Sequence, residues 1–510
     1  MKKYLLGIDI GTSELKAGII DESGTVLASL QSHNSSIFKG NGKGQPDTLS
    51  IVNNTARLIK DVCSKAEIDP ADVAALGMDA QMGGIIGVAQ DFRPLTGIDM
   101  GLDLKAEQIN ADFHRKYKEQ LISISCGSPR NTPKIAWWKE YEAHTYDRVR
   151  RFITLSGFVA GKLTGISGDD AVIDDTMIAY FGNENALMRS WSKELTSLWD
   201  IDIDKMPKIG NPWDILGTIT NRASYETGLK PGTPVVLGAG DQPAGFFGGG
   251  FNRPGTLIDI GGSTAMLTLC VNEFIPDTEN HSIMYMPAVD KDKYFATWYI
   301  NGGDMVIPWF QRNFGNNLTL TELSKQAGKV PAGSEGLLFF PYFGGRQCPY
   351  QNNLRGSWIG LNLGHKPDHM FRSILEGIAA QISGGLDSLE RLFPDLIPQL
   401  IEGIGGAAKD DTFTEIKANF TGRDYRIHPG FNASLRGSAL LAGVGIGMFS
   451  LESIPELERN KSEYSISPLP SLKQDYADLK TAYSLMEKRT LEESFEILSK
   501  LNSQNKSLKT

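Results

Sequence analysis

Leu6-Gly7-Ile8-Asp9-Ile10-Gly11-Thr12-Ser13 has a near-copy about half a chain later, Leu257-Ile258-Asp259-Ile260-Gly261-Gly262-Ser263-Thr264. Each is a short apolar run that delivers an aspartate and then breaks into glycine and hydroxyl residues. A buried β-strand followed by a tight turn reads this way. Glycine lets the turn backbone approach a ligand, and successive N–H groups with Ser or Thr hydroxyls make an anion cradle. One such turn is common. Two of them predict two related halves gripping one polyphosphate.

The residues around the first copy predict a hairpin. Ile8-Asp9-Ile10 turns through Gly11-Thr12-Ser13 into Leu15–Asp21, and Glu22–Thr25 turns again into Val26-Leu27-Ala28. A helix is expected from about Asp47 to Lys65, with Ile51, Thr55, Leu58, Ile59 and Val62 at helical spacing. Ala74–Ala80 is the next strand, which makes an α/β pattern. Pro231-Gly232-Thr233-Pro234 introduces the strand Val235–Gly238, which ends in Ala239-Gly240-Asp241-Gln242-Pro243. The glycine-rich run Phe246–Gly255 follows, and the domain boundary belongs there. Helices are expected from about Asp368 to Leu392 and from Ala433 to Met448. A C-terminal surface helix carries Leu472, Tyr476, Leu479, Tyr483 and Met486, with a polar end that frays beyond Leu501.

The chain has 510 residues, a length that favours two to four domains. Its 41% hydrophobic and 22% charged residues are those of a soluble globular protein. The net charge of −9 argues against general binding to nucleic acid or an anionic membrane. Four scattered cysteines, Cys63, Cys126, Cys270 and Cys348, form no CxxC pair, and the seven histidines show no zinc-binding spacing. The N-terminus lacks the long apolar region of a signal peptide, and no stretch approaches a membrane span, so the cytoplasm is the expected location.

Three constellations carry chemistry. The first is the phosphate apparatus: Gly11, Thr12, Ser13, Gly261, Gly262, Ser263 and Thr264, with Asp9 placed to hold Mg²⁺ through water. No GxxxxGK[ST] sequence occurs, so a P-loop is excluded. Lys16 reads equally as a phosphate partner or as a solvated hairpin residue. The second is Gly405-Gly406-Ala407-Ala408, between the apolar Leu400-Ile401 and a helical pattern through Phe413, Ile416 and Phe420. From Gly403 the run also satisfies GxGxxA, but the acid and the N-terminal βαβ setting of a dinucleotide site are missing. A strand-to-helix turn against adenosine or an α-phosphate fits better. The third is Asp241, just past a strand and between polar and glycine residues. It reads as a general base for phosphoryl transfer or as a turn or N-cap aspartate.

Together these pieces resemble the FGGY carbohydrate kinases. The most specific match is Gly356-Ser357-Trp358-Ile359-Gly360-Leu361, then seven residues, then His369–Glu376, which fits the family's C-terminal signature at every defined position. Lys134-Ile135-Ala136-Trp137-Trp138-Lys139-Glu140 resembles the N-terminal signature in part; Trp138, Pro129 and Asn131 depart from it. The resemblance runs from Asp9 to about Gly447. It implies two RNase H-like α/β domains of the actin, hexokinase and Hsp70 type around a cleft, residues 1–248 with the sugar site and 249–510 with the adenosine site. It implies ATP and Mg²⁺, Asp241 as the base, Gln81, Met82, Asp103, Asp241 and Gln242 in the sugar site, Gly302 and Asp410 near the nucleotide, and Gly405, Gly406 and Ala407 as the adenosine loop.

The nearest subgroup resembles the xylulokinases. Those usually carry Gln-Met-His-Gly and Trp-x-Asp-x-Arg. This chain has Gln81-Met82-Gly83-Gly84 and Gly101-Leu102-Asp103-Leu104-Lys105. The loss of a histidine and a tryptophan is expected to enlarge the pocket and remove a hydrogen bond and a stacking face. The expected function is therefore ATP-dependent phosphorylation of a terminal hydroxyl on a ketose or polyol, most like a xylulokinase. A kinase for another sugar, polyol or sugar acid (glycerol, ribulose, gluconate) stays open. So do a nucleotide-binding sensor or scaffold of the same fold and a dinucleotide-dependent oxidoreductase using the Gly403 motif. No helix-turn-helix precedes Lys3, so a sugar-responsive repressor is not expected. The partner is a small sugar or polyol, with no nucleic acid or membrane; a homodimer is one open expectation for the assembly.

Overall fold

The computed structural model describes residues 3–11, 14–33, 48–101, 103–261, 265–300, 303, 305–347, 349–428, 433–454 and 464–507. Two mixed β-sheets dominate, and they share one plan. In the first, Tyr4–Ile10, Glu14–Ile20 and Val26–His33 form an antiparallel meander. Val73–Ala80 then pairs parallel to the first strand, Pro234–Val236 follows, and Ile215–Thr218 closes the edge antiparallel. In the second, Leu257–Gly261, Ala265–Val271 and Tyr294–Ile300 form the meander. Leu400–Gly405 and Asp424–Ile427 add in parallel, and Tyr464–Ile466 closes the edge. The duplicated sequence is a duplicated fold, and the two IDIG runs occupy equivalent central strands.

The local expectations are met by these elements. The helix Thr48–Lys65 buries Ile51, Thr55, Leu58, Ile59 and Val62, the helical stripe that its sequence spells out. The helices Pro367–Leu392 and Ala433–Gly445 stand where their periodicity puts them. The C-terminal helix is less superficial than its charge suggests. Tyr476 and Tyr483 are buried, and Tyr476 accepts a hydrogen bond from buried Arg372 at 3.1 Å. After a π-turn at Glu487–Leu491 helix continues to Ser507, past Leu501. Among the described residues no helix is long and apolar enough to cross a membrane. Cys63, Cys126 and Cys270 are buried free thiols.

One element crosses between the halves. The helix Ala433–Gly445 belongs to the second half in sequence but packs on the strands Tyr4–Ile10 and Val73–Ala80 of the first sheet. It also lies against the helix Asp241–Gly248, where Gly437 approaches the backbone of Ala244. That second helix touches the other sheet through Phe246, whose ring centroid is 4.4 Å from that of Phe295. Residues distant in sequence thereby converge.

Candidate active site

Asp9 and Asp79 are register partners on adjacent parallel strands, and Asp79 is in turn opposite Ala239. Asp241 follows two residues later as the first residue of its helix, with Gly240 at the cap. Three carboxyl groups thus gather at the C-terminal ends of neighbouring strands, where α/β sheets present their ligands. Asp79 is fully buried; Ser438 donates to its Oδ2 at 2.6 Å while its Oδ1 has no partner. Asp9 accepts from Lys16 Nζ at 3.2 Å and from Ser434 Oγ at 3.1 Å. Ser434 and Ser438 lie one turn apart on the crossing helix, so one helix face serves both acids.

Like charges crowded in a low-dielectric setting resist ionisation. Burial, then the Asp9 charge, hold the Asp79 carboxyl well above the usual range. The same two causes push Asp241 up to about 7, with Lys16 pulling weakly the other way. Burial opposes the charge on Lys16, but Asp9, Glu14 and Asp79 together outweigh it and the ammonium is held above its ordinary value. Lys16 is therefore a partner of the site acid and not a merely solvated hairpin residue.

Asp241 is held from behind. Gly240 N donates to Thr176 Oγ1 at 2.8 Å, and Thr176 donates in turn to Asp174 through its hydroxyl and, at 2.9 Å, through its N–H. Met82 packs against Gly240. Beside the acid, Gln242 donates to Met266 Sδ at 3.4 Å, and its buried Oε1 has no hydrogen-bond partner. Gln81 donates to Met100 Sδ at 3.2 Å. Asn131 fastens the loop before the helix Thr132–Tyr141 onto this wall: its Oδ1 accepts from Gly84 N at 3.0 Å and its Nδ2 donates to Met82 O at 3.3 Å. Asp103 is exposed and accepts from Lys105 N at 2.9 Å.

Gly83 and Gly101 face each other. Gly101 N donates to Gly83 O at 2.8 Å, and a Cβ on Gly101 would lie 3.1 Å from that same oxygen. The two positions that lack His and Trp are in backbone contact, so part of the space a larger pair would leave is closed by the chain itself. Lys105 has its ammonium over the rings of Trp137 and Trp138, 4.5 and 4.4 Å from their centroids, and pairs with buried Asp99.

The second half supplies a separate cavity of about 600 Å³. Gly261, Gly406, Ala407 and Asp410 line it, together with Ile307, Leu320 and Phe413. Gly405 has φ +91° and its Cα lies so close to Gly261 that a Cβ would fall 2.1 Å from the Gly261 oxygen; only glycine fits. Asp410 caps the helix Asp411–Thr421 through Phe413 N at 3.0 Å and accepts from Ser324 Oγ at 2.7 Å. Apolar walls with a small polar edge suit a planar base and its sugar. Thr12, Ser13, Gly262, Ser263, Thr264 and Gly302 lie outside the described residues.

The sequence of residues 4–248 matches the N-terminal domain of the FGGY family of carbohydrate kinases, and residues 277–446 match its C-terminal domain. The chain belongs to the FGGY family of carbohydrate kinases. This FGGY kinase is 25% identical to the xylulose kinase of Bacillus subtilis over 464 residues, covering 89% of the chain and 91% of that protein. It is 23% identical to the gluconokinase of the same organism over 505 residues, 94% of each. The crystal structure of a gluconate kinase from Lactobacillus acidophilus superposes with a TM-score of 0.85 at 25% identity, covering 96% of this chain and 99% of that one. The kinase assignment removes the dinucleotide oxidoreductase reading of Gly403-Ile404-Gly405-Gly406-Ala407-Ala408; in this fold the run is a strand end and a 3₁₀ turn on the cavity wall.

In this FGGY kinase the two copies of the opening motif have different fates. Asp259, the counterpart of Asp9, is sealed in an ion pair with Lys417 at 2.7 Å, both side chains buried. Asp9 pairs instead with the partly exposed Lys16 at 3.2 Å. The crowding of Asp9, Asp79 and Asp241 and the orphaned Asp79 oxygen make their surroundings receptive to a cation. Among the described residues no group of three or more Asp, Glu, His or Cys side chains is set to hold a metal by itself. Mg²⁺ fits such a sparse site, because it takes most of its ligands from water and phosphate. Sequence reasoning passed over Asp79, Asp174, Thr176, Ser434 and Ser438. Asp79 had a signal: like Asp9, it comes one residue before the end of an apolar parallel strand.

Proposed function

We propose that this kinase transfers the γ-phosphoryl group of ATP to a terminal hydroxyl of a small polyhydroxylated acceptor, with Asp241 as the general base. The observation that carries this reading is Asp241 itself. It is a carboxyl at the start of a helix, held by the Thr176 network, with a proton affinity near neutrality and the unpartnered Gln242 oxygen beside it. A base poised near the working pH accepts a proton efficiently as the hydroxyl oxygen attacks phosphorus. Gln242 Oε1 accepts a second acceptor hydroxyl, and Gln81 and Met82 form the wall opposite.

Asp9 would hold Mg²⁺ through water, and the metal when bound neutralises charge on the transferring phosphate. Lys16 and Ser434 orient the Asp9 carboxylate. Gly11 and Gly261 border the phosphates, a role that the sequence also gives to Thr12, Ser13, Gly262, Ser263 and Thr264; Gly405, Gly406, Ala407 and Asp410 border the adenosine, a role that the resemblance also gives to Gly302. Closure of the units 1–248 and 249–510 excludes water and limits idle ATP hydrolysis. Xylulose kinases and gluconokinases both stand among the relatives, and a xylulose-like ketose or polyol is the first acceptor class to assay. A cytoplasmic location and a homodimeric state accompany this reading, the latter checked by sedimentation. The decisive experiment is ADP release by the purified chain over a panel of ketoses, polyols and sugar acids. Turnover stimulated by one acceptor and lost in Asp241→Asn supports the assignment; nucleotide binding without acceptor-stimulated turnover sinks it.

A further inference from the structure

Arg189 spends its hydrogen bonds on both halves of the molecule. Its Nη1 donates to Asp175 Oδ2 in the first half at 3.0 Å, an ion pair with both side chains buried. The same nitrogen donates to Ala288 O at 2.9 Å, while Nη2 donates to Asp290 O at 3.0 Å and to Lys293 O at 2.6 Å. Those carbonyls belong to the turn of a second-half hairpin, Met284–Pro287 against Tyr294–Ile300. The guanidinium also lies 5.1 Å from the centroid of the Tyr294 ring. A planar fork with fixed N–H directions can serve a carboxylate and convergent carbonyls at once, and lysine has no such fork. The Arg189 backbone has φ +45°, a left-handed conformation that costs any residue with a Cβ. Glycine would relieve the turn and lose the clasp.

Asp175 stands between the two residues that hold the Asp241 loop. Asp174 accepts from Thr176 N at 2.9 Å, and Thr176 Oγ1 accepts from the N–H of Gly240, next to Asp241, at 2.8 Å. The run Asp174-Asp175-Thr176 therefore has one foot on the clasp and the other on the Asp241 loop. The same hairpin reaches the helix Asp241–Gly248 by a second route. Phe295, register partner of Met286, has its ring centroid 4.4 Å from that of Phe246. The start and the body of that helix are thus both referenced to one hairpin of the opposite half. Breaking the ion pair would leave a buried carboxylate without its cation, which is strongly unfavourable, so the segment would have to shift.

Resting on the reading of Asp241 as the base, we propose that Arg189 and Asp175 are positioning residues for phosphoryl transfer. Their clasp on the turn that carries Ala288, Asp290 and Lys293 indexes Asp241 to the second half, which holds the cavity assigned above to the nucleotide. Base and phosphoryl donor then belong to opposite halves, and an in-line attack needs the two halves set against each other. A misplacement of about 1 Å at a reacting group can cost about 10²-fold in rate.

The test compares the full chain with Arg189→Gln, Arg189→Lys, Asp241→Asn and the double variant of Arg189→Gln with Asp241→Asn. Hydrogen–deuterium exchange needs no acceptor. Arg189→Gln should lose protection at the Gly240 amide, while the strand Leu400–Gly405 keeps the protection of the wild type. The kinetic arm uses whichever of D-xylulose, D-gluconate, xylitol and glycerol turns over fastest. Arg189→Gln should lower kcat by about 10–100-fold with KM for ATP little changed, and Arg189→Lys should recover part of the loss. In the Asp241→Asn background the same change should cost about 2-fold or less, because the group it positions is gone. Should Arg189→Gln fail to fold, Arg189→Lys, which keeps the charge and gives up the fork, carries both arms; should no acceptor react, the exchange arm decides alone. Wild-type protection at Gly240, or a loss of protection spread over both sheets, overturns the inference. An equal fall in kcat in both backgrounds also overturns it and leaves Asp241 as the base. A wild-type rate in Asp241→Asn removes the base and the inference together.

Discussion

At the scale of single residues, two acids on one sheet are asked to do different work. Asp241 is pushed up to about 7 by burial and by Asp9, so in the proposed base role it would act only after losing a proton near neutrality. Turnover should rise as pH passes upward through about 7, and Asp241→Asn should flatten that limb while lowering kcat by about 10²–10⁴-fold. Nucleotide affinity, measured by calorimetry, should survive the change. A near wild-type rate in Asp241→Asn would remove it from the base role. Asp9 is bonded to Lys16 and Ser434. Asp9→Ala should therefore raise the Mg²⁺ concentration needed for half-maximal rate, with acceptor affinity in the absence of nucleotide nearly unchanged. A large loss of acceptor affinity with normal Mg²⁺ dependence would place Asp9 in the wrong half of the site.

At the scale of elements, the segment Val172–Thr176 is a brace. Asp174 is buried and held up to about 7, by burial first, with bonds from Thr176 and Met177 pulling down. Its folded-state proton affinity exceeds that of the unfolded chain, so its contribution to stability is full below about pH 4 and is lost as pH rises through about 7. Asp174→Asn keeps an acceptor for Thr176 and removes the titration. Its melting temperature should gain on wild type between about pH 5 and pH 8; a constant difference across that range would show that Asp174 stays ionised throughout. The family's most specific motif is another structural element. Trp358 donates to Ser373 at 3.0 Å, and Arg372 pairs with Glu376 at 2.8 Å deep in the second half. That motif reports the fold because it packs the core, and it says nothing about the acceptor.

At the scale of the whole molecule, the crossing helix Ala433–Gly445 ties the halves to the site. Its Gly437 leaves no room for a side chain: a Cβ would lie 1.9 Å from Ala244 O. Gly437→Ala must displace the helix Asp241–Gly248, and with it Asp241. It should lower stability by about 1–3 kcal/mol, read from the urea midpoint, and slow turnover at saturating substrate. Unchanged stability and rate would mean that the two helices slide freely past each other.

The sequence by itself determined the repeated strand and turn, the helical stripes, the kinase family and the positions of Asp9 and Asp241 at strand ends. These are written in local period and turn chemistry, which a dozen residues carry. The tertiary structure alone decided which acids are neighbours and which are neutralised. Asp79 joins Asp9 through strand register, Ser434 and Ser438 reach both from over four hundred and over three hundred residues away, and Lys417 seals Asp259 from another helix. Local pattern fixes where a side chain sits on its own element. Its charge state and partners are set by what the rest of the chain brings against it.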